Sequence, residues 1–436
     1  MQAGWFYKTL RRYCGKLLRH FIFSSVEIEG LEHIPQDGTP VMLVGNHQNG
    51  LIDPLMTVCS LTDRKVHVFT RGGVFSKGGW RSRLAEKLGL IPSYRLAKEG
   101  LDMVAHNKEI MAKAGSKLMD GNTLLIYPEG MHSERCHLGE FSSAYLRMVF
   151  EAAASQNFEK EIYIVPVGVH YDNYYGLRNR ALLRFGQTIS LSDWYERYKV
   201  KPRTTSHEVN DVVRAAVKSL VLDIPDEQYD LQEKLCSSRK SLFSDNTSSL
   251  SKQVASDQAM MRKIEEMSDE QRQDLMQKIE AYDSSLKDYK TTADASTSPQ
   301  GIMDWVAALM LILFLPLGLI CLWPSVVAWW ISKRLAKKSG FSCFTNLYLI
   351  IVGSFIVIPV LSIATFIAVG IMVGWNVAIV WLLVQPSAYL FAWYYWDEIS
   401  FIPKRFNYLK LSEQLKQKLT TLRSNVMIVR EKLRNS

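Results

Sequence analysis

Residues 41–54 read Val41-Met42-Leu43-Val44-Gly45-Asn46-His47-Gln48-Asn49-Gly50-Leu51-Ile52-Asp53-Pro54, and the fold of the first half of the chain turns on them. Consecutive apolar residues ending at a glycine predict a short strand covered on both faces. Polar groups that directly follow such a strand lie at its carboxyl end, where α/β folds gather functional side chains. His47 can accept a proton from an alcohol, and Asp53 can fix an imidazole's tautomer and steady its charged form. A histidine near an aspartate is more often structural than catalytic, so the pair alone leaves both readings open.

Outward from this stretch, short apolar runs alternate with amphipathic ones. Val66 to Phe69, Leu124 to Ile126 and Ile162 to Val169 read as further strands, with Leu182 to Ile189 closing the set. Helical patterns intervene at Arg81 to Leu88, Leu96 to Ala114 and Ser142 to Ala154. The alternation predicts an α/β domain over residues 24–202, its mostly buried mixed sheet flanked by helices. Residues 1–23 precede it. There Trp, Phe, Tyr and Leu are interrupted by Lys8, Arg11, Arg12, Lys16 and Arg19. That mixture excludes a signal-peptide core and predicts an amphipathic helix with one apolar and one cationic face, suited to a membrane interface.

The rest of the chain changes character twice. Residues 203–300 are rich in charged and polar side chains and predict helices and linker, with a flexible connection near Ser237 to Ser251 and a tether from Thr291 to Gln300. Residues 301–397 then carry two apolar runs. Ile302 to Ile331 holds no charged residue but Asp304, and Leu347 to Trp396 holds none. A crossing needs about twenty apolar residues. The expectation is a helical membrane domain, with a hairpin or a single span in 302–331 and two spans in 347–396 that turn near Gly374-Trp375-Asn376. Trp329, Trp330, Trp375, Trp393, Tyr394, Tyr395 and Trp396 stand where interfacial anchors would, and Lys333, Arg334, Lys337, Lys338, Lys404, Arg405 and Lys410 mark a cytosolic side. Residues 398–436 predict a basic C-terminal helix.

Whole-chain composition narrows the partners. The 436 residues carry 52 Lys and Arg against 43 Asp and Glu, a formal charge of +9. This suits an anionic membrane surface or a phosphorylated substrate. Nucleic acid is not expected, because no nucleic-acid motif accompanies the charge. The six cysteines are scattered without a CxxC pair, which argues against a metal cage or a disulfide framework and suits a reducing compartment.

Three further blocks follow the first. Gly89-Leu90-Ile91-Pro92-Ser93-Tyr94-Arg95, with Arg71 upstream, offers guanidinium groups that fit a phosphate. Leu125-Ile126-Tyr127-Pro128-Glu129-Gly130-Met131-His132-Ser133 runs a strand into a glycine turn with polar groups. Val165-Pro166-Val167-Gly168 is a strand end that shapes a pocket. Singly, each could be an ordinary turn or surface feature.

In this order and at these separations, the four blocks resemble the PlsC-type glycerolipid acyltransferase family over residues 24–190. The resemblance implies that His47 is the general base and Asp53 its partner. It further implies that Arg71, Arg95, Glu129, Gly130, His132 and Ser133 bind the acyl acceptor. Five residues separate His47 from Asp53, where the family usually has four. This longer form is associated with the fungal-type glycerol-3-phosphate/dihydroxyacetone-phosphate acyltransferase branch and its bacterial relatives. Met131-His132 replaces the family's usual threonine-arginine, which shifts phosphate binding toward Arg71, Arg95 or Arg135.

The implied enzyme is an acyl-CoA or acyl-carrier-protein:glycerol-3-phosphate O-acyltransferase that forms lysophosphatidic acid. It would use the thioester as co-substrate, need no cofactor or metal, and have membrane lipid as partner. Its catalytic domain would face the cytosol on a bacterial inner membrane or endoplasmic reticulum. The alternatives are 1-acylglycerol-3-phosphate or another lysophospholipid as acceptor, and a non-enzymatic membrane protein that only binds lipid. A covalent route through Ser133 or Cys136, and a zinc site on His47, His132 and His137, are the rival chemistries.

Overall fold

The computed structural model describes residues 4–72, 75, 79–94, 101–133, 135–173, 179–224, 229–236, 249–293, 295, 302–339 and 348–435. The chain divides into two compact units, residues 1–227 with 247–258, and residues 228–246 with 259–436.

The first unit is built on an eight-stranded sheet. In chain order its strands are β1 (Phe23–Glu29), β2 (Val41–Gly45), β3 (Val66–Arg71), β4 (Leu90–Ser93), β5 (Thr123–Ile126), β6 (Tyr163–Tyr171), β7 (Asn179–Phe185) and β8 (Ile189–Ser190). Their spatial order is β1-β7-β6-β2-β5-β3-β4, with β8 beside β6. From β6 to β4 the neighbours are parallel, while β7 and β8 run antiparallel to β6 and β1 runs parallel to β7. The sheet is therefore mixed, as the sequence predicts.

Strand β2 lies between β5 and β6, and every one of its residues is buried. That is why it reads as an unbroken apolar run rather than an alternating one. Around the sheet lie α1 (Trp5–Leu17), α2 (Ile52–Ser60), α3 (Gly79–Lys87), α4 (Leu101–Met119), α5 (Ala144–Ala154), α6 (Tyr195–Val200) and α7 (Pro202–Leu220). Met42, Val44, Leu124 and Ile164 of the sheet share one core with Ile110, Ala114 and Leu118 of α4, Leu146 and Val149 of α5, and Val209, Val213 and Val217 of α7. Helix α7 thus extends this unit past residue 202, because its apolar stripe recurs every four residues and is fully buried.

Strands β1 and β4 are additions to the predicted set. Both lie at edges, where half-exposed residues dilute the apolar signal. In α1, Tyr7, Arg11, Cys14 and Leu17 face inward. Arg11 donates to the carbonyls of Leu61, Thr62 and Arg64, which gather at the carboxyl end of α2. Trp5, Phe6 and Tyr13 are left exposed beside Lys8, Arg12 and Lys16.

The second unit is helical. Helix α8 (Leu250–Glu266), whose first residues to Gln258 belong to the first unit, leads into α9 (Asp269–Asp288), which Ser268 and Gln271 start with a reciprocal capping box. Helices were expected in this stretch beside linker, and α9 buries Leu275, Met276, Ile279 and Tyr282. The connection expected at Ser237 to Ser251 and the tether at Thr291 to Gln300 fall largely outside the described residues.

The apolar runs form α10 (Ile302–Leu313), α11 (Leu315–Ser339), a π-helical stretch Leu349–Val357, α12 (Ile358–Met372) and α13 (Trp375–Leu409), with α14 (Glu413–Asn435) at the end. Among the described residues, no helix is long and apolar enough to cross a membrane. The spans expected in 302–331 and 347–396 are corrected accordingly. The reason is that helix and apolar run do not coincide. The first run is split between α10 and α11, and α11 ends in Lys337 and Lys338. The second breaks at Gly374, whose φ of 129° suits glycine alone, and α13 continues past the run into Lys404 and Arg405. The turn expected near Gly374 is present. These helices nevertheless expose many large apolar side chains, with Met372 83% and Leu383 74% exposed.

Candidate active site

Strand β2 delivers His47 to the carboxyl edge of the sheet. Asn46 fixes the exit. Its side-chain amide donates to the Val169 carbonyl at 3.0 Å and its oxygen accepts from the Val169 N–H at 2.7 Å, so the side chain continues the ladder between β2 and β6. Asp53 enters from the first turn of α2, where the helix dipole favours a negative group. Its Oδ2 lies 2.9 Å from His47 Nδ1, so the pair is in direct contact despite the additional residue in the loop.

That residue is absorbed by the backbone turning toward the carboxylate. The N–H groups of Gln48 and Asn49 donate to Asp53 Oδ2 at 2.8 and 2.7 Å. Asn49 Oδ1 in turn accepts from the N–H groups of Leu51 and Ile52 at the helix start. Tyr171, the last residue of β6, donates its hydroxyl to Asp53 Oδ1 at 2.5 Å. Asp53 has no solvent exposure, and these donors are what make a buried carboxylate tolerable.

The His47 ring lies flat on Tyr127, with centroids 4.3 Å apart and planes 11° from parallel. His132 meets it edge-on at 5.9 Å. Such stacking fixes the ring. With Nδ1 held by Asp53, Nε2 is the nitrogen left for an incoming proton.

Glu129 is held by the backbone around it. Its two carboxylate oxygens accept the N–H groups of His47 at 2.6 Å and Gly139 at 2.9 Å. It therefore ties the His47 loop to the segment after β5. Burial pushes its carboxyl above the usual carboxylate range, against the lowering effect of those two N–H groups. Gly130, at φ 71°, closes the turn by donating to the Tyr127 carbonyl. Ser133 is drawn in through its N–H, which donates to the His47 carbonyl at 2.9 Å.

Arg71 is exposed at the end of β3. Two strand spacings separate β3 from β2, or about 10 Å, a gap that an arginine and a bound phosphate can bridge between them. Arg95 lies outside the described residues.

The rival chemistries meet obstacles. Cys136 is fully buried, with Gln48 Nε2 donating to its sulfur at 3.7 Å and His170 Nδ1 4.0 Å away. No substrate carbonyl can reach it there. His137 pairs with Asp223 at 3.0 Å, which takes it out of a zinc set with His47 and His132. Among the described residues, no group of three or more His, Cys, Asp or Glu side chains is placed to hold a metal.

Residues 25–170 match the acyltransferase family model. An uncharacterized acyltransferase of Schizosaccharomyces pombe is 27% identical over 158 residues, which are 35% of this chain and 22% of that protein. The chloroplastic 1-acyl-sn-glycerol-3-phosphate acyltransferase of Arabidopsis thaliana is 29% identical over 122 residues, 27% of this chain and 31% of that protein. The matched regions thus span less than a third of either relative. Among solved structures, the 1-acyl-sn-glycerophosphate acyltransferase PlsC of Thermotoga maritima aligns with a TM-score of 0.34 and 17% identity, covering 49% of this chain and 79% of that one.

The site holds two tyrosines in its centre that the sequence did not single out. Tyr127 stood within a quoted block, but stacking cannot be read from spacing. Tyr171 lies beyond all four blocks and past the matched segment, and only strand pairing brings it to Asp53.

Proposed function

We propose that the protein transfers a fatty acyl group from a thioester, acyl-CoA or acyl carrier protein, to the sn-1 hydroxyl of glycerol-3-phosphate, with dihydroxyacetone phosphate as a second acceptor. The contact between His47 Nδ1 and the wholly buried Asp53 carries this reading. It presents His47 Nε2 as a base and places a charge beside the imidazolium that must form.

In the proposed reaction, His47 Nε2 takes the hydroxyl proton as the acceptor oxygen bonds to the thioester carbonyl carbon. The tetrahedral intermediate then collapses, the carbon–sulfur bond breaks, and His47 returns the proton to the leaving thiolate. An ester and a free thiol result, and the enzyme is unchanged. Arg71, Arg95, Arg135 and His132 are the groups proposed to hold the acceptor phosphate, of which arginines make the better fork.

The longer spacing between His47 and Asp53 favours glycerol-3-phosphate as acceptor. The Arabidopsis relative, named for 1-acyl-sn-glycerol-3-phosphate, favours a second reading with the lysolipid as acceptor. For either, we place the enzyme at a membrane with its catalytic domain on the cytosolic face. Support comes from the net charge of +9, the exposed aromatic and basic residues of α1 and the exposed apolar side chains of α10 to α13.

The test is incorporation of labelled acyl-CoA, with acyl carrier protein as alternative donor, by the full chain offered glycerol-3-phosphate or lysophosphatidic acid. Product from glycerol-3-phosphate that disappears with His47→Ala supports the first reading. Product from the lysolipid alone moves the assignment to the second. Transfer to neither acceptor from either donor overturns both.

A further inference from the structure

Asp53 receives its hydrogen bonds unevenly. Oδ2 accepts from His47 Nδ1 and from the N–H groups of Gln48 and Asn49. Among the described residues, Oδ1 accepts only from the Tyr171 hydroxyl. A carboxylate turns easily about its last side-chain bond, since its two oxygens are equivalent and the torsion is broad. Three donors at one oxygen draw it toward the loop backbone, and a donor on the opposite side is needed to fix its plane. Tyr171 is that donor.

The tyrosine is itself rigidly placed. Its strand is locked to the His47 segment by the pairing of Gly45 with Val167 and by the two hydrogen bonds between Asn46 and Val169. Two residues further along, Tyr171 is buried and stacked on Phe23, with centroids 5.8 Å apart and planes 14° from parallel. The ring therefore cannot follow the carboxylate if the carboxylate moves. Strand β6 thus anchors the Asn46 exit of β2 next to His47 and, through Tyr171, contacts Asp53 as well.

We propose that Tyr171 is a positioning residue for the His47–Asp53 pair: its hydroxyl holds Asp53 Oδ1 and so fixes where His47 Nδ1 finds its partner. The consequence for turnover rests on the acyl-transfer reading; the consequence for the pair does not. The ionisable groups that face Asp53 are His47, Tyr127, Glu129 and Tyr171. Of these, Tyr171 alone donates to Oδ1. The active pair has a neutral imidazole and an ionised carboxylate, and the hydroxyl stabilises the carboxylate charge. Its removal makes the pair take up a proton more readily, so protonation occurs at higher pH.

The experiment compares the full-length wild type with Tyr171→Phe, which deletes one oxygen, and with Phe23→Leu, which loosens the same packing and keeps the hydroxyl. Nitrogen-15 histidine NMR follows the His47 ring against pH, its signal identified by loss in His47→Gln. Acyl transfer is measured in parallel. The expected result for Tyr171→Phe is a His47 midpoint about one pH unit higher, a kcat about tenfold lower and a KM within about twofold of wild type. Phe23→Leu should leave the midpoint in place. An unmoved midpoint in folded Tyr171→Phe, or an equal movement in Phe23→Leu, overturns the proposal. A moved midpoint in a protein that transfers no acyl group to any acceptor sustains the positioning role and removes the proposed activity.

Discussion

Asp53 has no solvent exposure, and its carboxylate is surrounded by the His47 ring, the N–H groups of Gln48 and Asn49 and the Tyr171 hydroxyl. This makes the residue sensitive to small changes. Asp53→Asn keeps the shape but puts an amide N–H against one of the present donors and favours the wrong His47 tautomer. Its kcat should fall about 10²- to 10⁴-fold, measured as labelled product at saturating acceptor, with a folded far-UV spectrum. A variant within a few-fold of wild type would show that Asp53 serves structure rather than chemistry. Glu129 teaches the complementary point. Both of its oxygens accept backbone N–H groups, so it orders the loop that carries His47. A sequence motif records that a carboxylate is required, and the partner it requires is settled by distance.

At the scale of elements, the turns and strand ends around the site carry their own constraints. Gly30, which follows β1, has φ 75°, and a Cβ there would stand 2.0 Å from the Phe185 carbonyl oxygen. Gly30→Ala should therefore cost about 2–4 kcal/mol, seen as a lower melting temperature by calorimetry; an unchanged melting temperature would mean that the β1–β7 edge yields readily. In β3, His67 is buried, and burial with the nearby Lys65 and Lys117 charges holds it down at about 4 against its usual 6.5. Its folded value is depressed, so its contribution is present above pH 6.5 and is lost as the unfolded chain binds the proton first. Wild type should lose about 2–3 kcal/mol from this group between pH 6.5 and 4. His67→Asn should lose correspondingly less over the same window in urea melts, and parallel losses in the two proteins would refute the assignment.

For the whole molecule, the unresolved balance is between helix length and exposed apolar surface. No described helix is long and apolar enough to cross a membrane, yet Leu313, Ile371, Met372 and Leu383 are each more than 60% exposed. Surfaces of that kind seek a partner, and lipid is the one proposed above for them and for the α1 aromatics. The chain should remain in the membrane pellet through an alkaline carbonate wash and leave it with detergent. Release by salt alone would assign the attachment to charge. Release by carbonate would point to a protein partner.

Much of the first unit was legible in the residues themselves. The buried strands around Val41, Val66, Leu124 and Ile164 declared themselves as apolar runs, because a strand covered on both faces has no polar side to alternate with. His47 and Asp53 stood out because they follow such a strand and are close in sequence. Strands β1 and β4 were not legible, since edge strands mix exposed and buried positions. The apolar runs of the second unit marked the turn at Gly374 but not the helix ends, because composition does not reveal that α11 and α13 extend into basic residues. The sequence by itself determined which segments would be buried and which local groups could meet across a few residues. Only the tertiary structure decided that Tyr171, 118 residues from Asp53, completes the pair, and that Glu129 binds backbone. Those meetings depend on β6 lying beside β2 and on the loop after β5 folding back over His47. Such non-local contacts are fixed by packing and strand order, and leave no periodic trace along the chain.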